Sequence, residues 1–279
     1  MIKKNNFKKN TVLYFTIFIS FIFLTSFLVF SKSDAKSRKI LTKIEKIKNT
    51  GKIVVGTSAD YPPYEFHLLN SKEEEIVGLD IDIAEVIAEK LGVKLEIKDI
   101  TFSKLIDTLD SEEVDIVIAG LTPTEKRKKV VDFSEVYYQA IQNMLIRVED
   151  TEKITCIADL RGKKVGTQKG SIQEDIARNK ISGAEFIEKG TINELIIDLK
   201  NGDIDAIIVE KPVAESYVLR NKSLINIECK AEEDVLGSAI AVKKGNSALL
   251  NKINEILQDL KKEHKIIEFV KEANILMGK

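Results

Sequence analysis

The sequence predicts an α/β fold of two lobes, with parallel-rich sheets joined by a two-strand hinge. Three observations carry this. Short buried strands alternate with helices along residues 53–209. The order of the first half is echoed in the second. After the second set come one strand-like stretch and one long helix, too little for a third lobe. Strands that alternate with helices imply parallel sheets covered on both faces.

Ile53–Val55 is a short apolar run ended by Gly56-Thr57 and reads as a buried strand. Asp80–Leu91 carries Ile83, Val86, Ile87 and Leu91 at helical spacing, and Gly92 stops it. Lys94–Lys98 alternates polar and apolar residues, as a strand does. A short helix at Ser103–Leu109 leads to a buried strand at Val114–Ala119. Lys164–Thr167 then repeats the strand and turn. Ile172–Lys180 is a helix, Ala184–Glu188 a strand, Thr191–Lys200 a helix closed by Gly202, and Asp205–Val209 a buried strand. In both halves the same spacing separates the last leucine of a helix (Leu109, Leu199) from the aspartate that opens the next strand (Asp115, Asp205).

Ser238–Val242 is strand-like. Asn246–Leu260 places Leu249, Leu250, Ile253, Ile256, Leu257 and Leu260 on one helical face. This tail is expected to return and complete the first lobe. The expected division is 45–140 plus 237–279 for lobe 1 and 141–236 for lobe 2. The chain would then cross near Ala140–Asn143 and near Leu236–Ser238. Ligands of open α/β sheets sit beyond the carboxyl ends of the strands. Two facing lobes therefore put a ligand in the cleft between them, and a two-strand hinge suits a cleft that closes.

Composition narrows the function. The 279 residues are 44% hydrophobic and 31% charged, enough to bury a core. With 14 Gly and 4 Pro the chain is neither collagen-like nor low-complexity. Lys+Arg 43 against Asp+Glu 44 leaves no basic excess, which argues against nucleic acid as a partner. Cys156 and Cys229 are too few for a disulfide scaffold. His67 and His264 are the only histidines, so no metal site is expected.

Residues 1–35 read as an address. Lys3, Lys4, Lys8 and Lys9 precede an uncharged run from Asn10 to Ser31. A basic start, an apolar stretch and then small polar residues is the order of a secretory signal, with cleavage expected after Ala35. The run is also long enough to span a bilayer as an uncleaved anchor. Either way residues 36–279 are expected to act outside the cytoplasmic membrane, in the periplasm or on its outer face. The membrane would be touched only through the N-terminal segment. Export would also permit a Cys156–Cys229 disulfide.

Several segments carry a family likeness. GTSADYPPYEF (56–66) followed by GLDIDIAEVIAEKLG (78–92) resembles the start of bacterial extracellular solute-binding proteins for polar amino acids. AGLTPTEKRKKVVDFSEVYY (119–138) resembles their signature segment. VGTQKGSIQED (165–175) and DAIIVEKPVAESY (205–217) are similar to their second-lobe segments. The likeness runs from about Gly51 to Leu276 with the segments in order. It implies the type II periplasmic-binding-protein fold, closing on a free amino acid and delivering it to the membrane subunits of an ABC importer. No catalytic residue and no cofactor is implied.

The resemblance also implies roles. Arg127 would bind the ligand α-carboxylate, with Gly120, Thr122 and Thr124 lining the same pocket. Arginine suits this task because it can hold a carboxylate through two parallel hydrogen bonds. Glu210 would meet the ligand ammonium, where many relatives carry Asp. Tyr61 and Phe102 would sandwich the ligand side chain. Ser171 would touch the carboxylate from the start of a helix, and it can equally be a cap completed by Glu174 three positions on. Gln168 is a further pocket candidate. Asp60 and Glu65 flank Tyr61; they could meet a cationic side chain or be solvated residues at the lip. Binders of basic amino acids often carry Asp where this chain has Ser58, so Lys, Arg, Gln and His all stay open as ligands. Two other functions remain beside transport: a cyclohexadienyl dehydratase-like enzyme, and a ligand-sensing domain tethered by the N-terminal segment.

Overall fold

The first strand, β1 (Lys52–Thr57), gains its place from alternate burial of Ile53 and Val55. It is an inner strand of a sheet in the computed structural model, which describes residues 41–68, 75–228 and 236–278. The leader expected at 1–35 and Cys229 lie outside those residues; Cys156 is exposed. Thr42–Lys279 forms one compact unit.

Two five-stranded sheets organise that unit. The first has the order β5 (Lys94–Asp99), β1, β6 (Ile116–Val117), β15 (Ala241–Lys243), β7 (Val131–Phe133). The second has the order β11 (Glu185–Lys189), β10 (Lys164–Gln168), β12 (Ala206–Glu210), β9 (Gln142–Arg147), β13 (Leu224–Glu228). Val117 and Ile207 therefore belong to different sheets, and the molecule has two lobes. In each, the first three strands are parallel and the last two join antiparallel. Parallel pairing thus covers β5, β1 and β6 in one sheet and β11, β10 and β12 in the other. β9 and β15 run against β12 and β6. They stand between those strands and β13 and β7, which run the same way as β12 and β6 but pair only with the antiparallel strand between.

The helices follow their sequence signals. α1 (Lys43–Thr50) starts on a Thr42 capping box. α2 (Leu79–Leu91) buries Ile83, Ile87 and Leu91 and ends on Gly92 in the left-handed conformation. α3 (Leu105–Asp110) is preceded by a 3₁₀ turn at Phe102–Lys104. α4 (Glu125–Lys128) is a single turn. α5 (Ile172–Lys180) and α6 (Ile192–Asn201) cover the second sheet, followed by α7 (Lys211–Arg220). α8 (Ser247–Lys262) buries Leu249, Ile253, Ile256, Leu257 and Leu260. A last helix, α9 (Lys265–Met277), has no counterpart among the elements expected from the sequence.

The stretch expected as one strand at Ser238–Val242 is divided. β14 (Leu236–Ser238) pairs with β8 (Tyr138–Ala140), and β15 enters the first sheet. β8 and β14 form the two-strand hinge. Its partners are Leu236 with Ala140, Gly237 with Gln139 and Ser238 with Tyr138. A side chain at Gly237 would stand 2.2 Å from a Val136 methyl, so only glycine fits this crossing. Among the described residues, no helix is long and apolar enough to cross a membrane.

The aspartates of the internal echo do equivalent work. Asp115 Oδ2 accepts from the Val54 N–H at 2.8 Å, and Asp205 Oδ2 accepts from the Lys164 N–H at 2.8 Å. Each pins the start of the first strand of its sheet to the third. That brings the strands' carboxyl ends into line, and both sets open on the cleft.

Candidate functional site

Tyr61, Phe102, Gly120, Thr122, Arg127, Gln168 and Ser171 line one slot, together with Ile172 and Gln173. The first five stand on the first lobe and the others on the second.

Arg127 reaches the slot because Thr124 stops the chain and caps α4, accepting from the Arg127 N–H at 3.2 Å. The Arg127 guanidinium then lies over the Phe102 ring, 5.4 Å from its centroid. It donates to the Thr122 carbonyl at 2.8 Å and, across the cleft, to the Gly170 carbonyl at 3.0 Å. Burial lowers its pKa to about 10, so it remains a cation at neutral pH. Stacking on an aromatic face while offering a planar fork is the arrangement for recognising a carboxylate. Lys128, its neighbour, pairs with Glu125 at 2.8 Å on the surface.

Ser171 opens α5 and accepts from the Glu174 N–H at 3.2 Å. The expected capping box is not completed. The Glu174 carboxylate instead accepts from the Gly170 N–H at 2.9 Å and from Arg178 at 3.2 Å. Gln173, in the first turn of α5, donates to Gln142 at 3.0 Å and to the Tyr61 hydroxyl at 3.4 Å.

Glu210 ends β12 and is enclosed, accepting a short hydrogen bond from the Tyr64 hydroxyl. Burial raises its carboxyl to about 7, and the Tyr64 bond opposes that shift. Its backbone N–H donates to the Tyr61 hydroxyl at 3.3 Å. Tyr61 and Tyr64 stack with centroids 5.6 Å apart, so Glu210 sits behind the aromatic wall of the slot.

Asp60 and Glu65 are not lip residues; both are buried. β2 (Asp60–Tyr61) and β3 (Glu65–His67) pair antiparallel, with β4 (Ile76–Val77) outside them. Asp60 is the more central of the two acids. It accepts from Ser58 at 3.2 Å, from Gln168 at 3.3 Å and from the Ile192 N–H that opens α6. Burial raises it to about 6. Ser58 therefore supports this carboxylate. Glu65 does not line the slot, and Asp80 is the foremost charge acting on it.

Tyr64, Gln173 and Asp80 went unread in the sequence. Tyr64 lies in the same DYPPYEF turn as Tyr61. Gln173 stands two positions past the Ser171 cap, where the first turn of a helix points at whatever its N-terminus faces. Asp80 stands in the first turn of α2, and it accepts from the Gly120 N–H at 2.8 Å.

The profile of the bacterial extracellular solute-binding proteins, family 3, matches residues 53–272. The chain belongs to that family. The arginine-binding extracellular protein ArtP of Bacillus subtilis is 40% identical over 75% of this chain and 80% of its own length. The glutamine-binding protein GlnH of the same organism is 33% identical over 86% and 88%. Among solved structures, the L-arginine-bound AbpA of Streptococcus pneumoniae superposes with a TM-score of 0.82 at 34% identity, covering 84% of this chain and 99% of that one. An ancestral amino-acid-binding protein, AncCDT-1, described as a precursor of cyclohexadienyl dehydratase, matches with a TM-score of 0.76 at 30% identity, covering 83% and 99%.

Proposed function

We propose that this protein is an extracytoplasmic receptor that binds a free polar amino acid between its lobes and presents it to the membrane subunits of an ABC importer. L-Arginine is the favoured ligand. One observation carries the reading: the Arg127 guanidinium lines a slot shared by the two lobes, and two buried carboxylates back it, Asp60 bonded to Gln168 and Glu210 behind Tyr61 and Tyr64. Arg127, with Ser171 and the start of α5, suits an α-carboxylate. Glu210 suits the ammonium. Tyr61 and Phe102 offer apolar faces to the side chain, and Asp60, reached through Gln168, suits a cationic end. The relatives that bind arginine add weight to that choice. In this reading residues 1–35 serve export, and the lobes divide at 45–140 plus 237–279 and 141–236, which the membership of the two sheets supports.

The test is a thermal-shift screen of residues 36–279 against the twenty amino acids. A ligand at about 100 times its dissociation constant adds about 2.7 kcal/mol of stability. L-Arginine is expected to give the largest rise and to shrink the radius of gyration in small-angle scattering, since a ligand held from both sides favours the closed state. No rise with any amino acid overturns the reading. A second reading, a dehydratase, draws on the likeness to AncCDT-1 and on Glu210, whose carboxyl near 7 falls in the range of a general acid. Turnover of prephenate by the purified protein would favour it.

A further inference from the structure

Glu65 has surroundings that ligand binding leaves unexplained. It stands on β3 with its side chain fully enclosed. No N–H or O–H donor of the described residues reaches either of its carboxyl oxygens. An isolated buried carboxylate is costly enough that it takes up a proton instead. The ionisable groups that face it are Asp80, Asp60 and Glu210, with the phenols of Tyr61 and Tyr137. All are acids.

Asp80 is differently placed. The N-terminus of α2 favours an anion there. Its Oδ2 accepts from the Gly120 N–H at 2.8 Å and its Oδ1 from the Tyr137 hydroxyl at 2.7 Å. Glu65 on β3 and Asp80 at the start of α2 are both fully buried, on elements that pack together. Asp80 is the foremost charge facing Glu65, and two such carboxyl groups are accommodated side by side only if one keeps a proton. The two donors already on Asp80 assign that proton to Glu65.

We propose that Glu65 is a neutral positioning residue: it shares one proton with Asp80, and through Asp80 it holds the Gly120 backbone that leads to Thr122 and Arg127. Gly120 has φ +52°, and a Cβ on it would stand 3.2 Å from the Tyr61 ring. The loop therefore has little room to shift without moving the cleft wall. The consequence for ligand rests on the amino-acid-binding reading; the shared proton does not.

The proton has a measurable sign. Burial, and then Asp80, hold the Glu65 carboxyl well above its ordinary range. An unfolded glutamate releases its proton near pH 4.3. Between that point and the folded value the native state binds one more proton than the unfolded state. Each pH unit across this window lowers the folding constant about tenfold. Glutamine has no such proton. Asp60, Asp80, Asp82 and Glu210, also raised by burial, are present in both proteins.

Wild type, Glu65→Gln and Glu65→Leu are compared by urea unfolding from about pH 5 to about pH 8, and by calorimetric titration with L-arginine. Glu65→Gln, whose amide is a neutral donor of the same shape, should gain on wild type as pH rises, by up to about tenfold in folding constant per unit. It should keep its affinity for L-arginine within about threefold, whereas Glu65→Leu loses about tenfold or more. Asp80→Asn supplies the same binding readout if Glu65→Leu does not fold. A difference between wild type and Glu65→Gln that does not change with pH overturns the shared proton, as does a Glu65→Gln chain that fails to fold. Equal affinities across all variants overturn the positioning role. If wild type ignores L-arginine, the choice of ligand fails and the unfolding comparison still decides the proton.

Discussion

The third strands of the two sheets, β6 and β12, hold equivalent positions and end in opposite chemistry. Both pair in parallel with the first strand of their sheet, beside a glycine, Gly56 in one lobe and Gly166 in the other. Both are preceded by an aspartate that clamps that first strand. Past β6 the chain makes an open loop and a single helical turn, which deliver the Arg127 cation. Past β12 there is no loop: Glu210 ends the strand and α7 starts on Lys211-Pro212. One framework used twice thus gives a cation on one wall and an acid on the other. The difference lies in the length of the loop after the strand.

The largest expected effect comes from removing the cationic side of this comparison. Arg127→Ala should cost about 2–5 kcal/mol of amino-acid affinity, the scale for truncating one partner of a buried charge pair. Lys128→Ala, on the exposed side of the same turn, should change little. Calorimetric titration with L-arginine checks both, and equal small losses would make Arg127 a surface charge. Next come the shared clamps. Asp115→Ala and Asp205→Ala should each cost about 1.5–3 kcal/mol of stability in urea unfolding, the range for hydrogen bonds to a charged group. A large loss at one and none at the other would break the equivalence of the two lobes. Arg127→Lys keeps the charge but loses the planar fork, and should cost about tenfold in affinity, or 1.4 kcal/mol.

Acidity sharpens the acid side. Asp60 is raised to about 6 and Glu210 to about 7, in both cases first by burial. A cationic ligand prefers their ionised forms. Affinity for L-arginine should therefore be flat above about pH 8 and fall as pH drops through 7 and 6, by at most about tenfold per unit for each group. Binding near pH 6.5 should release protons, measurable as a buffer-dependent heat. Affinity that is flat down to about pH 5 would remove both acids from the ligand. The smallest effect is expected at Ser171→Ala, which loses the cap of α5 at about 1 kcal/mol of stability.

The same two lobes show how far the sequence was legible. Periodicity marked Ile172–Lys180 without error, because a capping serine and an apolar face both act locally. It could not give the antiparallel pairing of β7, β9, β13 and β15. Their direction is set by which neighbour has an unpaired edge, which is a long-range fact. At the site, Arg127 and Ser171 were readable from short motifs at element starts. The position of Glu65 was not. It stands one residue past Tyr64 yet is fully enclosed, and no local pattern separates a buried acid from one at the lip. Gln173 and Tyr64 were missed for the related reason that their partners stand on the opposite lobe.

The tyrosines give the protein an optical property. The chain has 6 tyrosines and no tryptophan. Tyr61, Tyr64, Tyr137 and Tyr138 gather where the lobes meet, against each other or against carboxylates, and the Tyr217 hydroxyl donates to the Asp60 carbonyl beside them. Its near-ultraviolet emission thus comes chiefly from the cleft. Opening of the proposed cleft would pull Tyr64 from Glu210 and so relieve the quenching that a carboxylate imposes on a phenol. Closure on a ligand should therefore be readable from the tyrosine emission of the unlabelled protein.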